Sequence, residues 1–471
     1  SFDFYDSKID RVERKWGNVS ETNFGQIGKG VVFKDKIHTF VMKDVPAFKD
    51  ESYITTPQDF LQKIDFQLAK VYSPTGNENN IISTWPELTE RLLEQKEFGK
   101  YIKSCEKFAK KLLKSEIRLP KDSKTNKAKY LIDYMKSNFH WNGEKSKYAS
   151  KKARHFFEQK TGNTADINLF LIALLKTAGV ETDPLILSTR DHGKVHSDYP
   201  FLHFFNYVVL MVRGEKDSFL SDASDNLIAF NRLPPRCIND KGLLVSERNG
   251  GWIDLTTRAE SLESHLLVLD IDTLEQHAYT KATIQATEFE AYRYRKEMGD
   301  HADVIVDKMK EIGIEDIDTV NVLNQDRVLL PYSLVFEGVV NLELISDKII
   351  VAPFLKIPPQ ENKLKMKKRT YPVDFVYPKS KNIQSIITIP KGYAVSKIPD
   401  PLEYDNSLVA INLNYDQDDN KLVATGSYRI KKSVYDPGEY DELKKYLDII
   451  VNEFNRQVVL EPLLLQKEGR D

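Results

Sequence analysis

The stretch that most constrains this chain is residues 161–175, "TGNTADINLFLIALL". A glycine turn and a hydroxyl residue lead into a helical run that is apolar on nearly every side. Such a helix belongs in the middle of a domain, so other layers must be built around it. Its first turn carries unpaired backbone N–H groups and a partial positive charge. A helix start of this kind favours an anion or a reactive nucleophile. The residue standing there is Thr164.

The surrounding layers are legible on both sides. Upstream, residues 83–140 read as amphipathic helices. "STWPELTERLLEQ" has Thr84 three residues before Glu87, a capping-box pattern. "FGKYIKSCEKFAKKLLKSE" places Tyr101, Cys105, Phe108, Leu112 and Leu113 at helical spacing, which makes Cys105 a core residue. Downstream the period becomes that of strands in "DPLILST", "HFFNYVVLMV" and "DSFLSDAS". The second run is apolar on both faces and reads as a central strand. Helices followed by a sheet predict an α+β domain closing near "NGGWIDLTTRA". From 263 onward β-runs dominate, interrupted by helical "FEAYRYRKEM" and "HADVIVDKMKEIG". "GEYDELKKYLDIIVNEFNRQ" gathers Tyr440, Leu443, Leu447, Ile450, Val451 and Phe454 on one helical face, to pack on a β-sandwich. Residues 1–56 read as strands and turns, with "GQIGKG" (25–30) a hairpin turn. "SPTGNENN" (73–80) is a turn-rich break. The expected organisation is a partial N-terminal β-rich domain over 1–75, an α+β core over 76–262 and a C-terminal β-sandwich region over 263–471.

Composition removes several function classes. At 471 residues, two to four domains are expected. The net charge of −2 argues against nucleic acid as a general partner. Residues 100–160 hold 18 Lys and Arg against 6 Asp and Glu, read as solvated helix faces. No apolar run reaches membrane-spanning length, and "SFDFYDSKID" is not a signal peptide. Its start inside a strand-like segment suggests that part of the first domain precedes this numbering. Cys105 and Cys237 alone make neither a disulfide framework nor a metal site. With no P-loop, GxGxxG after a strand, HExxH or GxSxG, no cofactor and no metal are expected.

Three spots of the core then line up in order. They are the turn Gly162-Asn163-Thr164-Ala165-Asp166, the strand Phe205-Asn206-Tyr207-Val208 and the strand end Leu220-Ser221-Asp222-Ala223-Ser224. A nucleophile at a helix start, a base on one strand and an acid on the next is the layout of thiol enzymes. In these motifs the chain resembles the transglutaminase-like superfamily, with its papain-like core. The nearest resemblance is to the bacterial subset flanked by two domains of unknown function. "FHWNG", "LPPRCINDKGLLV", "TFVMKDVPAFKDESY" and "RTYPVDFVYP" carry the likeness across nearly the whole chain. The resemblance implies catalytic positions at Thr164, Tyr207 and Asp222, for the family's Cys, His and Asp. It also implies ligand contacts at Asn163, Asn206 and Trp141, and a periplasmic or envelope location in a Gram-negative bacterium.

Two of the three catalytic types are replaced. A helix dipole worth about 0.3 to 2 kcal/mol does not ionise a threonine hydroxyl. Tyrosine, with a reference pKa of about 10, is no base near neutrality. His203 is expected four residues before Tyr207 on the same strand, too far to substitute for the family base. His192 and His196 fall in a loop. The expected function is therefore an inactive transglutaminase-like module that binds peptide, protein or glycan in a retained cleft, or serves as an envelope scaffold. The alternative is a divergent amidase, peptidase or transglutaminase using Thr164 or Cys237. Thr164 is expected to cap the buried helix, Asp166 to serve its first turn, and Asn168 to hydrogen-bond within the core.

Overall fold

The computed structural model of the chain describes residues 10–15, 32–37, 44–63, 66, 68–72, 77–81, 84–121, 123–215, 217–247, 250–257, 259–418 and 420–463. Residues 1–50 with 60–64 form one compact unit and the remainder a second. In the first, β1 (Asp10–Lys15) pairs antiparallel with β2 (Val32–Ile37). The expected turn at 25–30 lies outside the described residues.

The second unit contains a small hairpin, β3 (Lys70–Tyr72) with β4 (Glu78–Asn80). Of the turn-rich stretch over 73–80, residues 77–80 are described, and Glu78–Asn80 of it form β4. Next comes α1 (Trp85–Glu94), opened by the capping box: the Thr84 hydroxyl accepts from Glu87 N–H, and the Glu87 carboxylate accepts from Thr84 N–H at 2.8 Å. α2 (Gly99–Ser115) and α3 (Lys124–Asn138) follow. β5 (His140–Trp141), α4 (Ala153–Gln159), β6 (Thr161–Gly162) and α5 (Thr164–Thr177) complete the helical layer. The short parallel pair of β5 and β6 fixes where α5 enters. Every residue from Thr164 to Leu175 is buried, as a helix without a polar face requires.

The sheet of this half is antiparallel and ordered β11-β10-β7-β8-β9. Its strands are β7 (Thr182–Leu187), β8 (Tyr207–Arg213), β9 (Ser218–Ser221), β10 (Lys241–Leu244) and β11 (Gly251–Asp254). Ile186, Val208, Leu210 and Val212 join the core around α5. Leu185, Leu187, Tyr207 and Val209 form a second cluster with Leu233, Cys237 and Leu255. Both faces of β8 are thus covered, the reason its sequence does not alternate. The strand begins only at Tyr207, because Leu202–Phe204 coil into a 3-10 turn. His203 therefore sits before the strand rather than on its face.

The C-terminal half begins with β12 (Ser261–Asp272), β13 (His277–Ala286), α6 (Glu288–Glu297), α7 (Ala302–Glu311), β14 (Glu315–Leu323) and β15 (Tyr332–Asn341). Then come β16 (Glu343–Ile345), β17 (Lys348–Val351), β18 (Val373–Asp374), β19 (Lys379–Thr388), β20 (Tyr393–Lys397) and β21 (Leu402–Asp405). It ends with β22 (Val409–Gln417), β23 (Lys421–Ile430), β24 (Val434–Tyr435), α8 (Tyr440–Phe454) and β25 (Val458–Pro462). An eight-stranded sheet runs β14-β15-β13-β12-β19-β23-β22-β21, and a four-stranded one runs β16-β17-β25-β20. Within the larger sheet only β12 and β19 are parallel. Both sheets and the apolar sides of α6, α7 and α8 share one hydrophobic core. On α8, Tyr440, Leu443, Ile450 and Phe454 are buried, the face expected from their spacing. The chain is mixed α+β, with β-rich regions flanking the α5 core.

Candidate functional site

The turn before α5 leaves no room for a side chain at Gly162, where a Cβ would meet Asp166 Cβ at 2.6 Å. Asn163 follows and is the cap: its Oδ1 accepts from Asp166 N–H at 2.8 Å. Asp166 Oδ2 in return accepts from Asn163 N–H at 3.0 Å, closing a capping box. Asn163 Nδ2 donates to Tyr148 O at 3.0 Å. Asn163 is buried, with 3% of its surface exposed. Asp166 also accepts from Ser150 N–H, the Ser150 hydroxyl and Lys151 N–H at 2.7–3.1 Å.

Thr164 is therefore not the cap, which corrects the sequence expectation. The cap side chain must precede the first helical residue to reach back to the third N–H, and Thr164 is already helical. Its Oγ1 accepts from Ser146 N–H at 2.9 Å and donates to Ser146 O at 2.8 Å. The segment around Ser146 thus crosses the helix start and consumes the hydroxyl. Thr164 is fully buried and makes no hydrogen bond to Tyr207 or Asp222 among the described residues.

Tyr207 and Asp222 do meet. The first residue of β8 donates its phenol to Asp222 Oδ2 at 2.8 Å. Asp222, just past β9, accepts at Oδ1 from Asn168 Nδ2 (3.0 Å), Ser224 N–H (2.9 Å) and the Ser224 hydroxyl (2.7 Å). Asn168, on α5, also reaches Val208 O and Ala223 N–H, so it ties the buried helix to β8 and to the end of β9.

The residue that organises this site is Arg236, which the sequence reading passed over. Its Nη2 donates to Tyr207 OH (2.9 Å) and Asp222 Oδ2 (3.1 Å), its Nε to Tyr207 OH (3.1 Å), and its Nη1 to Asp225 Oδ2 (2.5 Å). The guanidinium lies 4.8 Å from the Trp141 ring centroid, a stacking that guanidinium planarity favours. Asp225 is shared with α6 through the Tyr292 hydroxyl at 3.0 Å. The available signal was "NRLPPRCIN", a loop with two arginines about ten residues after the acidic strand end, where a carboxylate that becomes buried needs a cation.

Electrostatics follow from this packing. Burial would raise the Asp222 carboxyl, but Arg236 and the donors from Ser224 and Asn168 hold it below its ordinary value. Burial and the neighbouring Asp222 carboxylate push the Tyr207 phenol well up. The same two causes raise Cys237, fully buried in a 3-10 turn at Pro235–Cys237. A thiol so raised is a poor nucleophile. Burial also pushes Cys105 up, to about 12.

The remaining expected contacts are internal. Asn206 holds Thr189, accepting from its N–H (2.9 Å) and donating to its hydroxyl (2.8 Å). Trp141 Nε1 donates to Glu144 O at 2.8 Å. His192 Nδ1 lies 3.0 Å from Ser188 Oγ, with the His203 ring 6.2 Å away. His196 packs on Phe204. None of these histidines hydrogen-bonds to Thr164 or Tyr207 among the described residues. No group of three or more metal-ligating side chains occurs there either, and no helix among them is long and apolar enough to cross a membrane. Cavities of about 480, 660 and 560 Å³ open elsewhere, with neither Thr164, Tyr207 nor Asp222 in their walls.

Residues 111–216 match the transglutaminase-like superfamily, and residues 347–460 match DUF3858, a domain of unknown function. No curated protein matches the chain. A Parabacteroides distasonis protein, provisionally described as a protease, is similar at 12% identity with a TM-score of 0.49; the likeness covers 98% of this chain and 69% of that one. The superfamily match takes in α5 with Thr164 and the whole of β8 with Tyr207. The chain thus carries a transglutaminase-like superfamily domain, joined to a DUF3858 domain.

Proposed function

We propose that this domain is catalytically inactive and that the chain works as a binding or scaffold module. The observation that carries the proposal is the Arg236 side chain bound to Tyr207, Asp222 and Asp225 at the position where a base and acid would act. The Thr164 hydroxyl is spent on Ser146. General-base catalysis needs an acceptor within about 2.6 to 3.2 Å of the nucleophile, and among the described residues the Thr164 hydroxyl donates to that backbone carbonyl alone. The alternative nucleophile Cys237 is buried and its thiol raised, which weighs against the thiol reading.

The test is incubation of the chain with labelled amine and glutamine peptides, alongside peptide and amide hydrolysis. No turnover above the Thr164→Ala or Tyr207→Phe variants is expected. Turnover that either substitution abolishes would overturn the proposal. The envelope location implied by the resemblance belongs to the same proposal, and fractionation of cells making the natural protein tests it.

A further inference from the structure

A cavity of about 660 Å³ opens between α1 and the β10–β11 edge, away from the Arg236 network. Trp85 and Trp252 form its aromatic wall, edge to face with ring centroids 5.0 Å apart. Trp85 is held there by its Nε1 donating to Ser197 O at 2.7 Å. Glu90 and Glu94, one turn apart on α1 and so on one face, line the same space with Glu247. All three are exposed, and none has an ion-pair partner among the described residues. Lys103 is the one basic residue in that wall. A second cavity of about 560 Å³ shares Leu93, Ser246 and Glu247 with the first, so the two are parts of one elongated groove.

We propose that this groove binds an extended peptide segment presenting lysine or arginine. The aliphatic stem of the basic side chain lies against Trp85 and Trp252, and its cationic head among Glu90, Glu94 and Glu247. Indoles attract cations through the ring quadrupole and also cover a methylene stem. Across both cavities Lys176 and Arg213 pair with Asp183, which leaves Glu90, Glu94, Glu181 and Glu247 against Lys103, a balance that selects a basic partner over an acidic one. The length of the groove favours a chain segment over a free amine. The inference is independent of whether Thr164 supports any turnover.

Fluorescence anisotropy of the full chain with two labelled heptapeptides tests it, one carrying two lysines and the other two glutamates in their place. The lysine peptide should bind about tenfold tighter or more, and its binding should weaken as salt rises. The triple substitution Glu90→Gln, Glu94→Gln, Glu247→Gln should cost about tenfold in affinity without changing the melting curve, because all three side chains are exposed. Lys103→Met, which removes the cation facing Glu90, Glu94 and Glu247, should tighten binding severalfold. Equal affinity for the two peptides overturns the proposal. So does an absence of lysine-peptide binding up to about 1 mM, or affinity unchanged in both variants.

Discussion

At the scale of single residues, Arg236 decides the electrostatics around Tyr207 and Asp222. Removing one partner of a buried ion pair strands the other charge, which costs about 3 to 5 kcal/mol. Arg236→Met should therefore destabilise the chain by that order in urea unfolding near neutral pH. The effect has a pH signature. In the native chain the depressed Asp222 carboxyl contributes stability above its ordinary range, and that stability is lost as pH falls through the folded value. Without Arg236, burial raises the same carboxyl, so acid relieves the stranded charge. The stability gap between the two proteins should narrow toward about pH 4. Lys147 gives the same sign of pH dependence in a higher range: burial lowers its ammonium to about 8, while its Nζ donates to Phe205 O at 2.7 Å. The unfolded chain then holds a proton that the folded chain has released, so this group makes stability rise with pH above about 8. Lys147→Met should flatten that rise in melting temperatures measured from pH 7 to 10.

At the scale of elements, α5 shows why a motif is not yet a mechanism. Its glycine turn, capping box and apolar body are all local, and all are present. Asn163→Ala removes the cap acceptor and should cost about 1 kcal/mol. Here the loss is compounded because Tyr148 O also loses the Asn163 Nδ2 donor. Thr164→Val leaves the Ser146 N–H and C=O without their partner and should cost about 1 to 3 kcal/mol. Chemical denaturation measures both. The paired change Thr164→Cys with Tyr207→His restores the superfamily's residue types. It should nonetheless yield no amine incorporation while Arg236 stays paired with Asp222 and Asp225.

At the scale of the whole molecule, sheet pairing crosses the limits of the DUF3858 match. β12 lies parallel to β19, in register from Ser261–Lys379 to Asp270–Thr388. A piece beginning at residue 347 therefore lacks the strand that covers β19. Parallel pairing is non-local, and alternate residues of β12 and β19 face the shared core. Residues 347–463 expressed alone should aggregate or unfold without cooperativity, whereas 259–463 should show a single cooperative transition by circular dichroism. Buried Glu263 joins the same elements by accepting from His265, Tyr294 and Lys381 at one oxygen and from Arg293 at the other. Strands and α6 thereby meet at a single carboxylate.

The α+β class, the buried helix and the two-faced strand were legible in the sequence, because periodicity is a local property of a chain. So were threonine and tyrosine at the positions where the resemblance implies thiol and imidazole. Only the tertiary structure decided what surrounds those residues. Arg236 reaches Asp222 and Tyr207 from a separate turn, Ser146 reaches Thr164 across the helix start, and Tyr292 reaches Asp225 from α6. Each of these contacts joins segments distant in sequence, with no periodic signal linking their ends. They form because a buried charge or hydroxyl must find a partner once water is excluded, and which partner lies within reach is fixed by how the layers pack.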